Sequence, residues 1–279
     1  MALLGRTNRL TVNRFVDFGA YLDGGDDGEI LLPRKYLAEG VEEGDKLDVF
    51  VHRDSEDRLV ATTEEPRAEV GDCAFLEVVQ VNKFGAFLDW GLEKDLFVPF
   101  GEQRSKMKVG QRYVVYVYLD NTDRIAATSK LRKFLAVTSS DYKPGDEVEL
   151  IVTAVTDLGY EVAVDDMVLG MIFENDVLVP LRVGRRMSGY VKHVRPDRKL
   201  DISLQPPAAP EVRDDLAARI LRNLRENGGT SSLTDKSPPE AIFAAYGVSK
   251  RVYKAALGGL YKDRRIVIKR GTVELADSD

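Results

Sequence analysis

The sequence predicts a mainly β chain with a small α+β end, and three observations carry that prediction. The chain repeats itself twice without gaps, each copy has the two-residue period of strands, and a helical period starts only beyond residue 205. Sliding the chain 66 places onto itself lays Phe18-Gly19-Ala20-Tyr21-Leu22-Asp23 over Phe84-Gly85-Ala86-Phe87-Leu88-Asp89, with 15 identities in the 48 positions from 17 to 64. Unrelated sequences would give about three. A second slide, of 74 places, gives 13 identities between 71 and 124, laying Gly71-Asp72 on Gly145-Asp146, Gly85 on Gly159 and Asp123-Arg124 on Asp197-Arg198. Three copies follow, at 1–66, 67–140 and 141–205.

Within a copy, Tyr113, Val115, Val117 and Leu119 alternate with Val114, Tyr116 and Tyr118, and β-branched and aromatic residues dominate. Turns are marked at Gly19, Gly85 and Gly159 and at the Asp-rich corners before Arg58, Arg124 and Arg198. About five short strands in one copy cannot bury a core as an open flat sheet, so each copy is expected to close into a small barrel. The five-stranded oligonucleotide-binding (OB) fold is the natural candidate.

After Gln205 the composition changes. Pro206-Pro207-Ala208-Ala209-Pro210 is a stiff stop, so 206–211 reads as a linker and 212–279 as a separate domain. There Leu216, Ile220, Leu221 and Leu224 share one helical face that ends at Gly228-Gly229. Ser237-Pro238-Pro239-Glu240 reads as the start of a short helix capped by Ser237 and ending at Gly247. Ser249 caps a third helix, with Val252, Ala256, Leu257 and Leu260 inward and Lys250, Arg251, Lys254 and Lys262 outward. Residues 266–268 and 272–275 flank Lys269-Arg270-Gly271 as a hairpin. Three helices and a hairpin form the winged helix-turn-helix plan.

With 40 Lys and Arg against 46 Asp and Glu, a net charge of -6, the 279-residue chain cannot coat itself in nucleic acid, and any polyanion site must be local. Residues 1–66 carry -7, 67–140 carry +2, 141–210 carry -4 and 211–279 carry +3. Between 245 and 270 stand eight basic residues and one acid, Asp263. A single cysteine, Cys73, excludes an internal disulfide framework and a structural zinc site. The first residues lack the apolar region of a signal peptide, and no apolar run reaches the 18 residues of a membrane span. A cytoplasmic monomer without membrane contact is expected.

OB barrels capture single strands by stacking bases on exposed aromatic rings while basic groups neutralise phosphates. Phe84 and Phe87 sit three apart across a glycine, and Lys83, Phe97, Phe100 and Arg124 are candidates to join them. Phe18 and Tyr21 repeat the pair, although a shared core position would repeat equally well. The run Val81-Asn82-Lys83-Phe84-Gly85-Ala86-Phe87, then Val109-Gly110, then Asp120 with Arg124, resembles the S-one type of RNA-binding repeat. That resemblance implies an RNA site at Phe84, Phe87, Asp120 and Arg124 in the second copy and at Phe18, Tyr21, Asp54 and Arg58 in the first. Pro33 and Pro99 stand where the family has a histidine, Phe173 stands there in the third copy, and Leu158 and Glu161 replace the third copy's aromatics. Arg198 aligns with Arg124. The order of three such repeats and a winged helix resembles the bacterial conserved virulence factor B (CvfB-like) family, which implies RNA binding linked to gene expression.

On the winged helix, Lys250, Arg251 and Lys254 on one helical turn and Arg264, Arg265, Lys269 and Arg270 on the wing are the expected phosphate contacts. The acidic stretch from Asp23 to Glu29 fails EF-hand spacing, and His52 and His193 have no ligand partners at metal spacing. No phosphate loop, nucleophile elbow or HExxH motif occurs, so no catalytic residue, metal or cofactor is assigned. The leading expectation is a noncatalytic protein that binds single-stranded RNA and regulates gene expression post-transcriptionally. DNA remains a second candidate partner, through a winged helix acting as a transcriptional regulator, and a nuclease or modifying enzyme is the third class.

Overall fold

The computed structural model describes residues 2–177, 179–206 and 210–276. It divides into two units, residues 1–206 and 207–279.

The first unit is three five-stranded barrels in a row. Strands β1 (Thr7–Val16), β2 (Gly19–Asp23), β3 (Glu29–Pro33), β4 (Lys46–Arg53) and β5 (Leu59–Thr62) close in the order β1-β2-β3-β5-β4. The same order recurs in β11 (Glu147–Thr156), β12 (Gly159–Val164), β13 (Val168–Phe173), β14 (Arg186–Val194) and β15 (Leu200–Ser203). In both, the third and fifth strands pair in parallel, which closes the cylinder and removes its open edges. The middle copy, β6 (Cys73–Val81), β7 (Gly85–Asp89), β8 (Leu96–Pro99), β9 (Arg112–Leu119) and β10 (Ile125–Thr128), has the ladder order β10-β9-β6-β7-β8. Beyond the β8 and β10 ends, the Glu102 carbonyl accepts from Ser129 N at 3.0 Å and from Thr128 Oγ1 at 3.1 Å, so this copy is nearly closed.

All three first strands carry a β-bulge at one place, between Val12 and Arg14, Val78 and Gln80, and Val152 and Ala154. A bulge adds twist, and a small barrel needs twist to close. The inward residues of the alternating pattern are the cores: Val12, Leu22, Leu32 and Val51 in the first barrel, Val78, Leu88, Val98 and Val117 in the second, and Val152, Val162, Ile172 and Val191 in the third.

The barrels also share contacts. Phe50 of the first packs edge-on against Trp90 of the second at 5.6 Å between centroids, and Lys35 is ion-paired with Glu93. Between the second and third, Cys73, Val114, Leu131, Leu135, Ile151, Ala163 and Leu169 form one buried cluster.

The second unit holds α1 (Pro210–Glu226), β16 (Thr230–Ser231), α2 (Pro239–Tyr246), α3 (Lys250–Lys262), β17 (Ile266–Lys269) and β18 (Thr272–Leu275). Its sheet order is β16-β18-β17. Leu216, Ile220, Leu221 and Leu224 of α1 pack with Tyr253, Leu257 and Leu260 of α3, as the helical period requires. Of the expected linker, 207–209 lie outside the described residues, and Pro210 and Glu211 already belong to α1. Ser249 caps α3, accepting from Val252 N, whereas Ser237 does not cap α2. Its hydroxyl instead accepts from Thr234 N at 2.9 Å, and Pro238 takes the cap position.

Candidate nucleic-acid interface

The second barrel presents its aromatic residues at the turn between β6 and β7. Asn82 shapes that turn: its side-chain oxygen accepts from Phe84 N at 2.8 Å and Gly85 N at 3.3 Å. Gly85 lies so close to β8 that a Cβ would press on the Val98 carbonyl and stand 2.8 Å from the Phe97 ring. The close approach sets Phe87 against Phe97, ring centroids 5.1 Å apart. Phe84 stands out from the turn at 62% exposure, with Lys83 Nζ 5.0 Å from its centroid. Phe100, 41% exposed, donates its backbone N–H to the Phe84 carbonyl.

Asp120 closes the β9–β10 corner by accepting from Thr122 and from the backbone N–H of Arg124. Burial raises its carboxyl, and these hydrogen bonds outweigh burial and leave it below the usual range. Arg124 turns away from this corner. Its guanidinium donates to Asp57 of the first barrel at 3.1 and 2.7 Å, and the Asp57 carboxyl is lowered by that bond.

In the first barrel, Phe18 is exposed and meets Tyr21 edge-on at 6.4 Å. Tyr21 is covered by Arg14, whose guanidinium lies 4.4 Å from the ring centroid and is held by Glu29 at 3.0 and 2.7 Å. Arg58 is bound to Asp54 and Glu56. The cations here are already matched by carboxylates.

The third barrel corrects the sequence register. Strand β14 carries an additional bulge, between Val191 and His193, so the corner is displaced by one residue. Asp54 N bonds to Arg58 O and Asp120 N to Arg124 O, but Arg195 N bonds to Lys199 O. Lys199, not Arg198, is therefore the counterpart of Arg58 and Arg124. Arg198 takes the left-handed turn position of Asp57 and Asp123, with φ of 61° against 61° and 56°. Phe173 is half-buried, with Arg195 5.5 Å from its centroid. Glu161 is buried and ion-paired with Arg132, and Leu158 is exposed.

In the winged unit, Lys254, Arg264, Arg265 and Arg270 are exposed and Lys250 is half-buried. Lys269 bonds to Glu274 at 2.5 Å, and Arg251 also has a partner, so the cationic run is less free than its composition suggests.

Sequence reasoning missed a groove of about 500 Å³ between the second and third barrels, lined by Arg104, Arg112, Lys130, Arg132 and Lys133. Its signal was the run Lys130-Leu131-Arg132-Lys133, one apolar residue among three cations. Among the described residues no group of three or more His, Cys, Asp or Glu is placed to hold a metal, and no helix is long and apolar enough to cross a membrane.

The S1 domain family model matches residues 4–64 and 70–130, the first two barrels, and the CvfB-like winged helix domain model matches 218–275. The chain joins two S1 domains to a CvfB-like winged helix domain. The third barrel lies outside those matches and shares the strand order of the first. The chain is 29% identical over 276 residues to the Bacillus subtilis (strain 168) "Uncharacterized protein YitL", covering 96% of this chain and 92% of that one. It is 26% identical over 267 residues to the Staphylococcus epidermidis (strain ATCC 12228) "Conserved virulence factor B", covering 91% and 89%. A crystal structure from Streptococcus pneumoniae TIGR4, described as a multidomain protein with nucleic acid binding domains, is 26% identical, covers 98% of each chain and has a TM-score of 0.41. S1 and winged helix domains are nucleic-acid-binding modules rather than enzyme families.

Proposed function

We propose that this chain is a noncatalytic, cytoplasmic RNA-binding protein that holds single-stranded RNA on the aromatic face of its second barrel and regulates gene expression post-transcriptionally. The observation that carries this reading is Phe84, 62% exposed beside the Phe87–Phe97 pair, in the one barrel segment with positive net charge. The first barrel offers a tyrosine covered by an arginine and a strongly acidic segment, which repels phosphate over about a Debye length. A sequence-tolerant stack on Phe84 and Phe87, with Lys83 for the phosphates, suits single strands. Competition among single-stranded RNA, single-stranded DNA and duplex DNA at two salt concentrations tests it. RNA should win, and Phe84→Ala with Phe87→Ala should lose on the order of 1 to 3 kcal/mol per stacked base. A folded double variant that binds RNA like wild type overturns the site. A second reading, a DNA-binding regulator, rests on the exposed Lys254, Arg264 and Arg270 of the winged unit; duplex DNA winning the competition favours it.

A further inference from the structure

The groove between the second and third barrels is built from a connector that the barrels grip at its apolar positions. Leu131 and Leu135 are buried in the shared cluster with Cys73, Val114 and Ile151, and Phe134 folds back onto Tyr116 and Tyr118 at 5.0 and 4.6 Å between centroids. Pinning those residues turns Lys130, Arg132 and Lys133 outward to solvent. Arg104 and Arg112, from the second barrel, line the same groove. Five cations thus meet three carboxylates that line or flank the groove, Glu161, Glu102 and Glu77, leaving an excess of two positive charges. Arg104 has no ion-pair partner among the described residues, and Arg112 is held only at 3.3 Å by Glu77.

The groove also joins the aromatic face at one end. In the turn Phe100–Glu102, Phe100 N donates to the Phe84 carbonyl at 3.2 Å, while the Gly101 carbonyl and the Glu102 carboxylate accept from Lys130 and Lys133, each at 2.5 Å. At the other end, Arg132 and Glu161 are shared with a second hollow lined by Phe173, Arg195 and Lys199 of the third barrel. Cations between two aromatic platforms suit a polymer whose charges lie on its backbone and whose bases carry the rings.

We propose that this groove is a phosphate channel that carries a single nucleic-acid strand from the face of the second barrel to that of the third. The proposal rests on the nucleic-acid-binding reading of the second barrel and extends its site by a sequence-independent segment. Arg132 is left intact in the test because it neutralises the buried Glu161.

The experiment measures anisotropy of labelled oligouridylates of 6, 12 and 18 nucleotides over a salt series, with full-length protein. Wild type should gain affinity with length, and Arg104→Gln, Arg112→Gln and Lys130→Gln together should flatten the log–log salt slope by about 2, at about 0.7 per lost single-strand contact. That variant should also lose the gain between 6 and 18 nucleotides. The pair Arg104→Lys with Arg112→Lys should keep both, because a point charge suffices. In wild-type protein, bound 18-mer should protect Lys130 and Lys133 from acylation, a readout that needs no variant. A folded triple variant with wild-type slope and length dependence overturns the channel, as does acylation unaffected by the oligonucleotide. So does polyglutamate that displaces the 18-mer as well as an equal charge of oligonucleotide does, which would assign the groove to an acidic protein segment. Wild type that binds no oligonucleotide at any length overturns the nucleic-acid reading itself, a result distinct from failure of the groove.

Discussion

Arg124, the cation of the second barrel's β9–β10 corner, is bound through two hydrogen bonds to Asp57 of the first barrel, at 3.1 and 2.7 Å. The two corners that carry these residues are repeats of one another, so the chain uses one copy's acid to occupy its neighbour's base. On the proposed reading of the second barrel as an RNA site, Asp57 competes with phosphate for Arg124.

Removing the competitor should release the cation. Asp57→Asn keeps a residue that tolerates the positive φ of 61° at this position and removes the charge. It should strengthen single-strand binding and steepen the salt slope by about 0.7, while Arg124→Ala should leave the slope near wild type. Anisotropy titrations of the three proteins over a salt series decide it. An unchanged slope in Asp57→Asn shows that Arg124 lies off the path of the strand.

The repeat made most of the fold legible, because a barrel core and its turn glycines must recur wherever the barrel recurs. Val12, Val78 and Val152 occupy equivalent bulged strands, and Gly19, Gly85 and Gly159 face Pro33, Pro99 and Phe173 in register. What stayed hidden has no local signature. The bulge in β14 inserts one residue without a glycine, so the Asp-Arg match at 197 and 198 looked in register although Lys199 holds the place. The Arg124–Asp57 pair joins residues 67 apart. The groove exists only because burial of Leu131 and Leu135 orients cations that a one-dimensional reading treats as a charged stretch.

Gly85 is a steric requirement of the aromatic face. Its φ is not in the left-handed region; the constraint is the Val98 carbonyl and the Phe97 ring where a Cβ would go. Gly85→Ala should destabilise the protein by about 1 to 3 kcal/mol, the usual cost of overpacking, and disturb the Phe87–Phe97 pair. Gly101→Ala, at a site with open space, should leave stability nearly unchanged. Urea unfolding with a fluorescence probe reads both, and equal midpoints would contradict the packing argument.

Cys73 reports on the contact between the second and third barrels. It is buried, and burial pushes its thiol well above the usual range, with nearby Asp166 adding to the rise. Arg186 spans this contact, bonding to the Cys73 carbonyl and to Asp166 at 3.1 Å. Native protein should react slowly with an aromatic disulfide at pH 8, and Arg186→Ala should speed the reaction without unfolding either barrel. Rapid labelling of wild type would show that the two barrels separate freely.

His52 gives the first barrel a pH dependence whose sign is fixed. Burial lowers its pKa from 6.5, so below that value the unfolded chain binds a proton that the folded barrel resists. Stability from this residue is present above about pH 6.5 and is lost as pH falls toward the depressed folded value. His52→Gln should reduce the fall in urea midpoint between pH 7.5 and 5. An identical fall in both proteins would assign the acid sensitivity to carboxylates.

On the winged unit, the exposed Lys254, Arg264 and Arg270 should behave differently from the paired Lys269. Lys254, Arg264 and Arg270 are exposed, whereas Lys269 lies 2.5 Å from Glu274 and lowers that carboxyl by the bond. Lys250, half-buried as the first residue of α3, is left in place. Changing Lys254, Arg264 and Arg270 together to Ala should flatten the salt slope by about 2 for single-stranded RNA, at about 0.7 per contact, and by slightly more for duplex DNA, at about 0.9. Lys269→Ala should change either slope much less, because its charge already serves Glu274. Similar losses on RNA and DNA mark phosphate contact, since base readout in a groove would confine the loss to one duplex sequence. If the triple variant keeps the wild-type slope on both polymers, the wing serves another purpose, and the barrels alone must account for nucleic-acid binding.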